Sequence, residues 1–101
     1  MSQQKITVIV AKDLEDLIPT FMANRNKELG TLSVALGAGD MEQLRQLGHR
    51  MKGVGNSYGF EQISVLGKQI EDHAKIKDVT GLQTLITKYD DYLARVSIVY
   101  E

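Results

Sequence analysis

The sequence predicts an all-α protein: an antiparallel four-helix bundle with a short extra helical turn near its N-terminus. Four stretches carry apolar residues at helical spacing. Short segments containing glycine or aspartate separate them, and connections this short favour antiparallel neighbours. A chain of 101 residues has room for one core. We therefore expect a single domain over residues 1–101, in which residues 1–12 form an extended lead-in.

The lead-in contains a β-branched segment, residues 6–10, whose composition favours an extended backbone. The sequence offers this segment no obvious strand partner, so we expect it to lie unpaired on the bundle. We expect residues 1–5 to be loosely held. The apolar residues between positions 14 and 18 predict one short helical turn. Pro19 then suits the first turn of a long helix, where an N–H group would have no partner.

The first long helix is expected to end at Gly37-Ala38-Gly39, because glycine commonly follows the last residue of a helix. Polar Arg25 interrupts its apolar stripe. Asp40 can cap the second helix, with Gln43 as its reciprocal partner in a capping box, and this helix runs to about Tyr58. The residues of the first apolar stripe are Ile18, Phe21, Met22, Leu29, Leu32 and Leu36.

Gly59 breaks the chain between the second and third helices, which are therefore expected to form a hairpin. The third helix begins at once and fades through residues 75–77. A last helix starts at Asp78 or Thr80. The inward-facing residues predicted for these two helices are Phe60, Ile63, Leu66, Ile70 and Ala74, followed by Leu82, Leu85, Ile86, Tyr89, Leu93 and Val96.

The charges are nearly balanced, with 12 basic and 13 acidic residues and a net charge of −1. Nucleic acids and anionic membranes both bind concentrated positive patches, so we expect neither as the main partner. Cysteine is absent, which excludes disulfides, thiolate metal sites and cysteine nucleophiles. The longest apolar stretch is too short for a membrane span or a signal peptide. We expect a monomeric cytoplasmic protein.

The second helix has one apolar and one polar face. On a helical wheel of about 100° per residue, the apolar face holds Leu44, Leu47, Met51, Val54 and Tyr58. The polar face holds Glu42, Arg45, Gln46, His49, Lys52, Gly53 and Asn56. His49 therefore points away from the core. This placement argues against a packed core histidine and leaves an idle surface histidine as the alternative to a functional one.

Two neighbours on the polar face favour a functional histidine. Lys52 and Gly53 lie three and four positions after His49, one turn along the same face. The lysine can donate N–H groups to an anion held on the imidazole. Glycine inside a helix costs about 1 kcal/mol relative to alanine, and clearance for another protein beside the imidazole would explain it. For Gly48 and Gly55, close helix packing is the simpler explanation.

The hairpin constrains the partner of His49. Residues equally far from a turn at positions 59–60 lie level on the two antiparallel helices, so His49 is level with Ile70 or Glu71. Ile70 belongs to the core stripe, whereas Glu71 can accept a hydrogen bond from Nδ1 of the imidazole and leave Nε2 free as a nucleophile. Glu71 could equally be an ordinary solvated residue. Lys68, one turn away, could add positive potential.

A resemblance to histidine-phosphotransfer (HPt) domains is carried mainly by residues 49–60, HRMKGVGNSYGF. The HPt signature is a histidine, an aliphatic residue, Lys-Gly, a run of mostly small residues, and then glycine with an apolar residue. The flanking parts of the family are similar to residues 66–71, LGKQIE, and residues 35–40, ALGAGD. The resemblance extends over roughly residues 13–98.

The resemblance implies roles for four residues. His49 would be the phosphoacceptor, and Lys52 would stabilise the phosphoryl group. Gly53 would give a partner access, and Glu71 would orient the histidine. Tyr58 is bulkier and more polar than many family members carry at its position, a departure that does not threaten the chemistry.

The resemblance further implies a phosphocarrier of a two-component phosphorelay and not an enzyme. The chain would accept a phosphoryl group from a receiver-domain aspartate or a histidine kinase and pass it to a response regulator. No ATP site, cofactor or metal is expected here, and Mg²⁺ would lie in the acidic pocket of the partner receiver. The alternatives are a non-catalytic helical adaptor and an input domain cut from a larger kinase. The start at Met1 and the end at Glu101 favour a free-standing protein over the latter.

Other candidate sites are weaker. Residues 53–59, GVGNSYG, lack the spacing of both common nucleotide-binding glycine motifs and lie on a helix. His73 falls near the apolar stripe of the third helix and is expected to be a core-edge histidine. A metal site made of His49, Glu71 and His73 lacks an H-x-x-x-H pair and a third convincing ligand.

Overall fold

A computed structural model describes residues 4–101. Of residues 1–5, which are predicted to be loosely held, residues 1–3 therefore lie outside the described residues. In chain order the elements are β1 (Ile6–Val10), a 3₁₀ turn (Lys12–Leu14), α1 (Ile18–Ala38), α2 (Met41–Ser57), α3 (Glu61–Lys75), α4 (Val79–Arg95) and β2 (Val96–Tyr100). The helices form the predicted antiparallel four-helix bundle, and a short helical turn precedes α1. Within the described part of the chain, none of the helices is both long enough and apolar enough to cross a membrane.

Gly39 and Asp40 make the junction between α1 and α2. Gly39 has a φ of 70°, a left-handed conformation that glycine tolerates without strain. The Asp40 carboxylate accepts a hydrogen bond from the Gln43 N–H at 3.1 Å, which confirms the predicted N-cap. The reciprocal capping-box bond is a wrong prediction, because the Asp40 N–H donates to the Ala35 carbonyl oxygen at 2.9 Å instead.

The later junctions follow the same chemistry. Asp78 caps α4, since its carboxylate accepts from the Gly81 N–H at 3.0 Å, and this decides between Asp78 and Thr80 as the start. Gly59, with a φ of 89°, turns the chain from α2 into α3. These short turns hold consecutive helices antiparallel and bring α2 and α3 together as a hairpin.

The core combines residues of all four helices with Val10 of β1. At the contact between α2 and α3, glycines let the two backbones touch. A Cβ atom at Gly48 would lie 2.6 Å from the backbone nitrogen of Glu71, and one at Gly67 would lie 2.5 Å from that of Lys52. The largest fully buried side chains are Tyr89, Phe60, Ile18, Leu32, Leu44, Met51, Ile63, Leu66, Ile70, Leu82 and Val10.

The segment at residues 6–10 is a paired strand. β1 pairs in parallel with β2, with Ile6 opposite Val96, and the pairing continues where the Glu101 N–H donates to the Val10 carbonyl oxygen at 3.0 Å. Two predictions are therefore wrong: the lack of a strand partner and the helical placement of Val96. β-Branched residues favour the extended backbone in both segments. Their pairing joins opposite ends of the chain, and local sequence patterns do not reveal such a contact.

Arg25, which interrupts the apolar stripe of α1, is buried. Its Nε lies 3.2 Å from Oε1 of Glu28, and the same oxygen accepts a hydrogen bond from the Tyr89 hydroxyl of α4 at 2.9 Å. The guanidinium carbon also lies 4.8 Å from the centre of the Phe21 ring. Burial raises the pKa of Glu28, although the charge of Arg25 and the Tyr89 hydrogen bond oppose this rise. This Arg25–Glu28–Tyr89 cluster joins α1 to α4.

Candidate functional site

His49 lies in the middle of α2, and 65% of its side chain is exposed to solvent. Leu47 and Met51, on the apolar face of the same helix, are buried in the core. The imidazole therefore stands on the polar face that the helical wheel predicts, where another protein can reach it.

Glu71 of α3 holds the imidazole in place. Its Oε2 lies 3.0 Å from Nδ1 of His49, and only 7% of its side chain is exposed. An ionised carboxylate can only accept hydrogen bonds, so Nδ1 carries the proton and donates it to this contact. In a neutral ring, Nε2 is then unprotonated and keeps a free lone pair. The exposed ring thus has one reactive nitrogen.

Lys52 contacts the other oxygen of the same carboxylate, with its Nζ 3.2 Å from Oε1 of Glu71. Burial acts to raise the pKa of Glu71, but the hydrogen bonds from Lys52 and His49 outweigh that effect. The Lys52 and His49 contacts together hold the pKa of Glu71 below its ordinary value. Glu71 is therefore ionised at neutral pH and links the histidine to a cation one turn away.

Gly53 leaves space open beside the imidazole. Apart from its own helix backbone and chain neighbours, no atom of residues 4–101 lies within 4 Å of the position that a Cβ would take. A Cβ at Gly55, in contrast, would lie 2.6 Å from the backbone nitrogen of Ser64. Close packing, the simpler explanation for Gly48 and Gly55, is thus confirmed, whereas packing does not account for Gly53.

Two further cations near the site are each paired with an acid. The Nζ of Lys68 lies 3.2 Å from Oδ2 of Asp72, which partly offsets the positive potential expected from this lysine. Arg45, one turn before His49, makes two hydrogen bonds to Glu42. The spacing of three positions between Glu42 and Arg45 is the sequence signal for that pair.

Ser64 of α3 is a residue near the site that the apolar stripes do not reveal. It is buried, and its hydroxyl donates to the Lys52 carbonyl oxygen at 2.8 Å and accepts from the Asn56 N–H at 2.8 Å. A serine is usually assigned to the solvent face of a helix. The available signal is its spacing from Gly67 and Glu71, three and seven positions later, which puts all three on one face of α3.

An open groove of about 330 Å³ runs between α2 and α3 beside the site. Lys52 and Asn56 line it from α2, and Val65 and Lys68 line it from α3. Val65 is 42% exposed although it is apolar. The groove thus combines an apolar side chain with a polar rim, as protein-binding surfaces do.

His73 belongs to another part of α3. Its Nδ1 donates to the Gln69 carbonyl oxygen at 2.7 Å, and its side chain is 35% exposed, as expected for a histidine at the core edge. Residues 4–101 contain no group of three or more histidine, cysteine, aspartate or glutamate side chains placed to hold a metal ion. That finding includes the set of His49, Glu71 and His73.

Most of the chain matches a known domain family. The sequence model of the Hpt domain family matches residues 16–97, which contain every residue of the candidate site. No curated protein and no solved structure gives a significant match to the chain.

Proposed function

Since the chain belongs to the Hpt domain family, we propose that it carries a phosphoryl group on Nε2 of His49. Domains of this family pass phosphoryl groups through a histidine and interact with receiver domains in phosphorelays. The main support within this chain is the contact of 3.0 Å between Nδ1 of His49 and the buried carboxylate of Glu71. This contact leaves Nε2 as the unprotonated, exposed nitrogen.

The transfer is a displacement at phosphorus. The Nε2 lone pair attacks the phosphorus of an acyl phosphate on a receiver aspartate, so that an N–P bond forms and the P–O bond to the aspartate breaks. The aspartate leaves as a carboxylate, and the imidazole loses no proton because Nε2 carries none. The phosphorylated ring keeps its Nδ1 proton and is positively charged, a charge that Glu71 stabilises. The reverse reaction delivers the group to a response regulator, and a histidine kinase is the other possible donor.

Lys52 changes partner during this reaction. Before transfer, its ammonium group contacts Oε1 of Glu71 at 3.2 Å. A phosphoryl group on Nε2 brings new negative oxygens to the same face of α2, one helical turn from Lys52. The flexible lysine side chain can then donate to those oxygens. Lys52 thereby stabilises the phosphorylated histidine.

A receiver domain is the partner that the surroundings of His49 favour. The space beside Gly53 lets the receiver's aspartate approach the imidazole, and the groove between α2 and α3 offers Val65 as an apolar contact. Mg²⁺ is expected in the acidic pocket of the receiver. The role of this chain is to supply the nucleophile and its positioning, without an ATP site, a cofactor or a metal of its own.

Incubation with a phosphorylated receiver domain tests the proposal. We expect the wild-type protein to gain acid-labile, base-stable phosphate, because the product is a phosphoramidate, and we expect His49→Gln to gain none. The matched control is His73→Gln, which changes the other histidine of the chain and should be labelled like the wild type. Label that survives His49→Gln contradicts the assignment. A protein that binds the receiver and never becomes labelled is an adaptor instead.

A further inference from the structure

The hydroxyl of Ser64 bridges two backbone groups of the neighbouring helix α2. It donates to the Lys52 carbonyl oxygen and accepts from the Asn56 N–H, both at 2.8 Å. In a regular α-helix, the N–H of residue 56 bonds to the carbonyl oxygen of residue 52, four positions earlier. Ser64 therefore binds a donor and an acceptor that a regular helix pairs with each other. A side chain placed at such a point changes the local course of a helix.

Glycines make this contact possible. A Cβ at Gly55 would lie 2.6 Å from Oγ of Ser64, and a Cβ at Gly67 would lie 2.5 Å from the backbone nitrogen of Lys52. The backbone of α3 thus lies directly against the turn of α2 that follows His49. Only small residues at these positions allow a hydroxyl as short as that of serine to reach the backbone of α2.

Helix α3 contacts both the main chain and the side chain of Lys52. The carbonyl oxygen of this lysine accepts from Ser64 at 2.8 Å, and its ammonium group lies 3.2 Å from Glu71. Ser64 and Glu71 are seven positions apart, two turns along one face of α3. Glu71 also contacts His49 at 3.0 Å. One face of α3 therefore contacts the imidazole of His49 and also the carbonyl oxygen and the ammonium group of Lys52.

We propose that Ser64 is a positioning residue for phosphoryl transfer. By fixing the turn of α2 between Lys52 and Asn56, its hydroxyl sets where the Lys52 ammonium group and the opening at Gly53 lie relative to Nε2 of His49. This inference rests on the proposed phosphotransfer, although Ser64 does not itself touch the phosphoryl group. Without the hydroxyl, the Asn56 N–H can bond directly to the Lys52 carbonyl oxygen. The fold then loses little, while Lys52 moves.

Three variants test this role: Ser64→Ala, Ser64→Thr and, as the matched control, Ser33→Ala on the exposed side of α1. Because a displacement of about 1 Å can cost up to roughly 100-fold in rate, we expect transfer to Ser64→Ala to be about tenfold slower at saturating receiver. The half-saturating receiver concentration and the helical content should stay at wild-type values. Ser33→Ala should behave as the wild type, and Ser64→Thr, which keeps a hydroxyl, should recover most of the rate.

A wild-type rate for Ser64→Ala overturns the proposal. The proposal is also overturned if Ser64→Ala keeps the wild-type rate at saturating receiver and only needs a higher receiver concentration for half-saturation. That result would assign Ser64 to docking of the receiver. A measurement without receiver separates this inference from the phosphotransfer on which it rests. The NMR signal of the Lys52 ammonium group should shift in Ser64→Ala and stay unchanged in Ser33→Ala. An unshifted signal overturns the positioning role even if His49 is phosphorylated, whereas an unlabelled wild type rejects phosphotransfer itself.

Discussion

The carboxylate of Glu71 contacts the two functional groups beside it, one through each of its oxygens. Through Oε2 it keeps the proton of His49 on Nδ1, and through Oε1 it holds the Lys52 ammonium group close to the ring. These two donors lower the pKa of Glu71 despite its burial, so the carboxylate keeps its charge at neutral pH. In the proposed transfer, the negative charge that would stabilise a phosphorylated imidazole is therefore present before any phosphoryl group arrives.

A large side chain at position 53 should leave the stability of the fold unchanged but should slow phosphoryl transfer. A side chain at this position enters open space beside His49, so Gly53→Glu should leave helical content and thermal unfolding close to wild type. Glutamate even favours the helix over glycine, by about 0.5–1 kcal/mol. The added bulk and negative charge should slow transfer from a phosphorylated receiver by roughly 100-fold, through misplacement of the acyl phosphate. Circular dichroism and the transfer rate measure the two effects separately.

Gly48→Ala is the control with the opposite outcome. Its Cβ would lie 2.6 Å from the backbone nitrogen of Glu71 and 2.7 Å from the Gly67 carbonyl oxygen, so the helices must separate. We expect a loss of about 2 kcal/mol or more in the free energy of unfolding. If Gly53→Glu unfolds the protein and Gly48→Ala does not, the two faces of α2 are assigned the wrong way round.

The sequence predicts the placement of His49 and Glu71 because each follows from a simple geometric rule. Helical periodicity puts His49 opposite the core stripe, and the hairpin puts Glu71 level with it. Ser64 does not follow from such a rule. Its hydroxyl reaches α2 only because Gly55 and Gly67 bring the helices into backbone contact, and the depth of that contact depends on tertiary packing. The roles of these residues in transfer stay predictions.

Among the secondary structure elements, the helices could be predicted and the strand pair could not. Apolar spacing, Asp40 and Asp78 indicate the helices locally. β2 is hidden because Val96 follows Leu93 at helical spacing, so the periodicity of α4 continues past its true end at Arg95. The partner of β2 lies at the other end of the chain, beyond the range of local patterns.

The strand pair should contribute to stability through its one fully buried residue. Val10 is 1% exposed, whereas its neighbour Ile9 is 61% exposed. Val10→Ala should therefore lower the free energy of unfolding by about 2 kcal/mol, through lost burial and a small cavity. Ile9→Ala, a larger truncation in the same strand, should cost less than about 0.5 kcal/mol. Urea unfolding at neutral pH gives both values, and equal losses would show that β1 is not part of the core.

The protein as a whole consists of a hairpin that carries the site and two helices that complete its core. The hairpin helices, α2 and α3, meet through glycines, whereas α1 and α4 are joined by the Arg25–Glu28–Tyr89 cluster. Buried ion pairs contribute little net stability, because removing the charges from water costs about as much as their attraction returns. Their geometric demands are strict, so we infer that this cluster mainly fixes how α1 lies against α4.

The two buried glutamates should make the stability of the folded protein respond to pH in opposite directions. The pKa of Glu71 is lowered from 4.5, so its contribution to the free energy of unfolding is present above that value and is lost as the pH falls through the folded-state pKa. The pKa of Glu28 is raised from 4.5, chiefly by burial. Over the range between 4.5 and its raised value, the folded state binds more protons than the unfolded state, so stability falls as the pH rises.

Two isosteric variants separate these contributions. Glu71→Gln should destabilise the protein by about 1 kcal/mol at neutral pH, because its partners are partly exposed, and the loss should disappear in acid. The loss caused by Glu28→Gln should be largest in acid and shrink as the pH rises, since the wild type then has to ionise a buried carboxyl group. Urea unfolding from about pH 3 to 8 measures both trends. If both losses grow with pH, Glu28 is stabilised in its charged form, and the cluster between α1 and α4 contributes net electrostatic attraction after all.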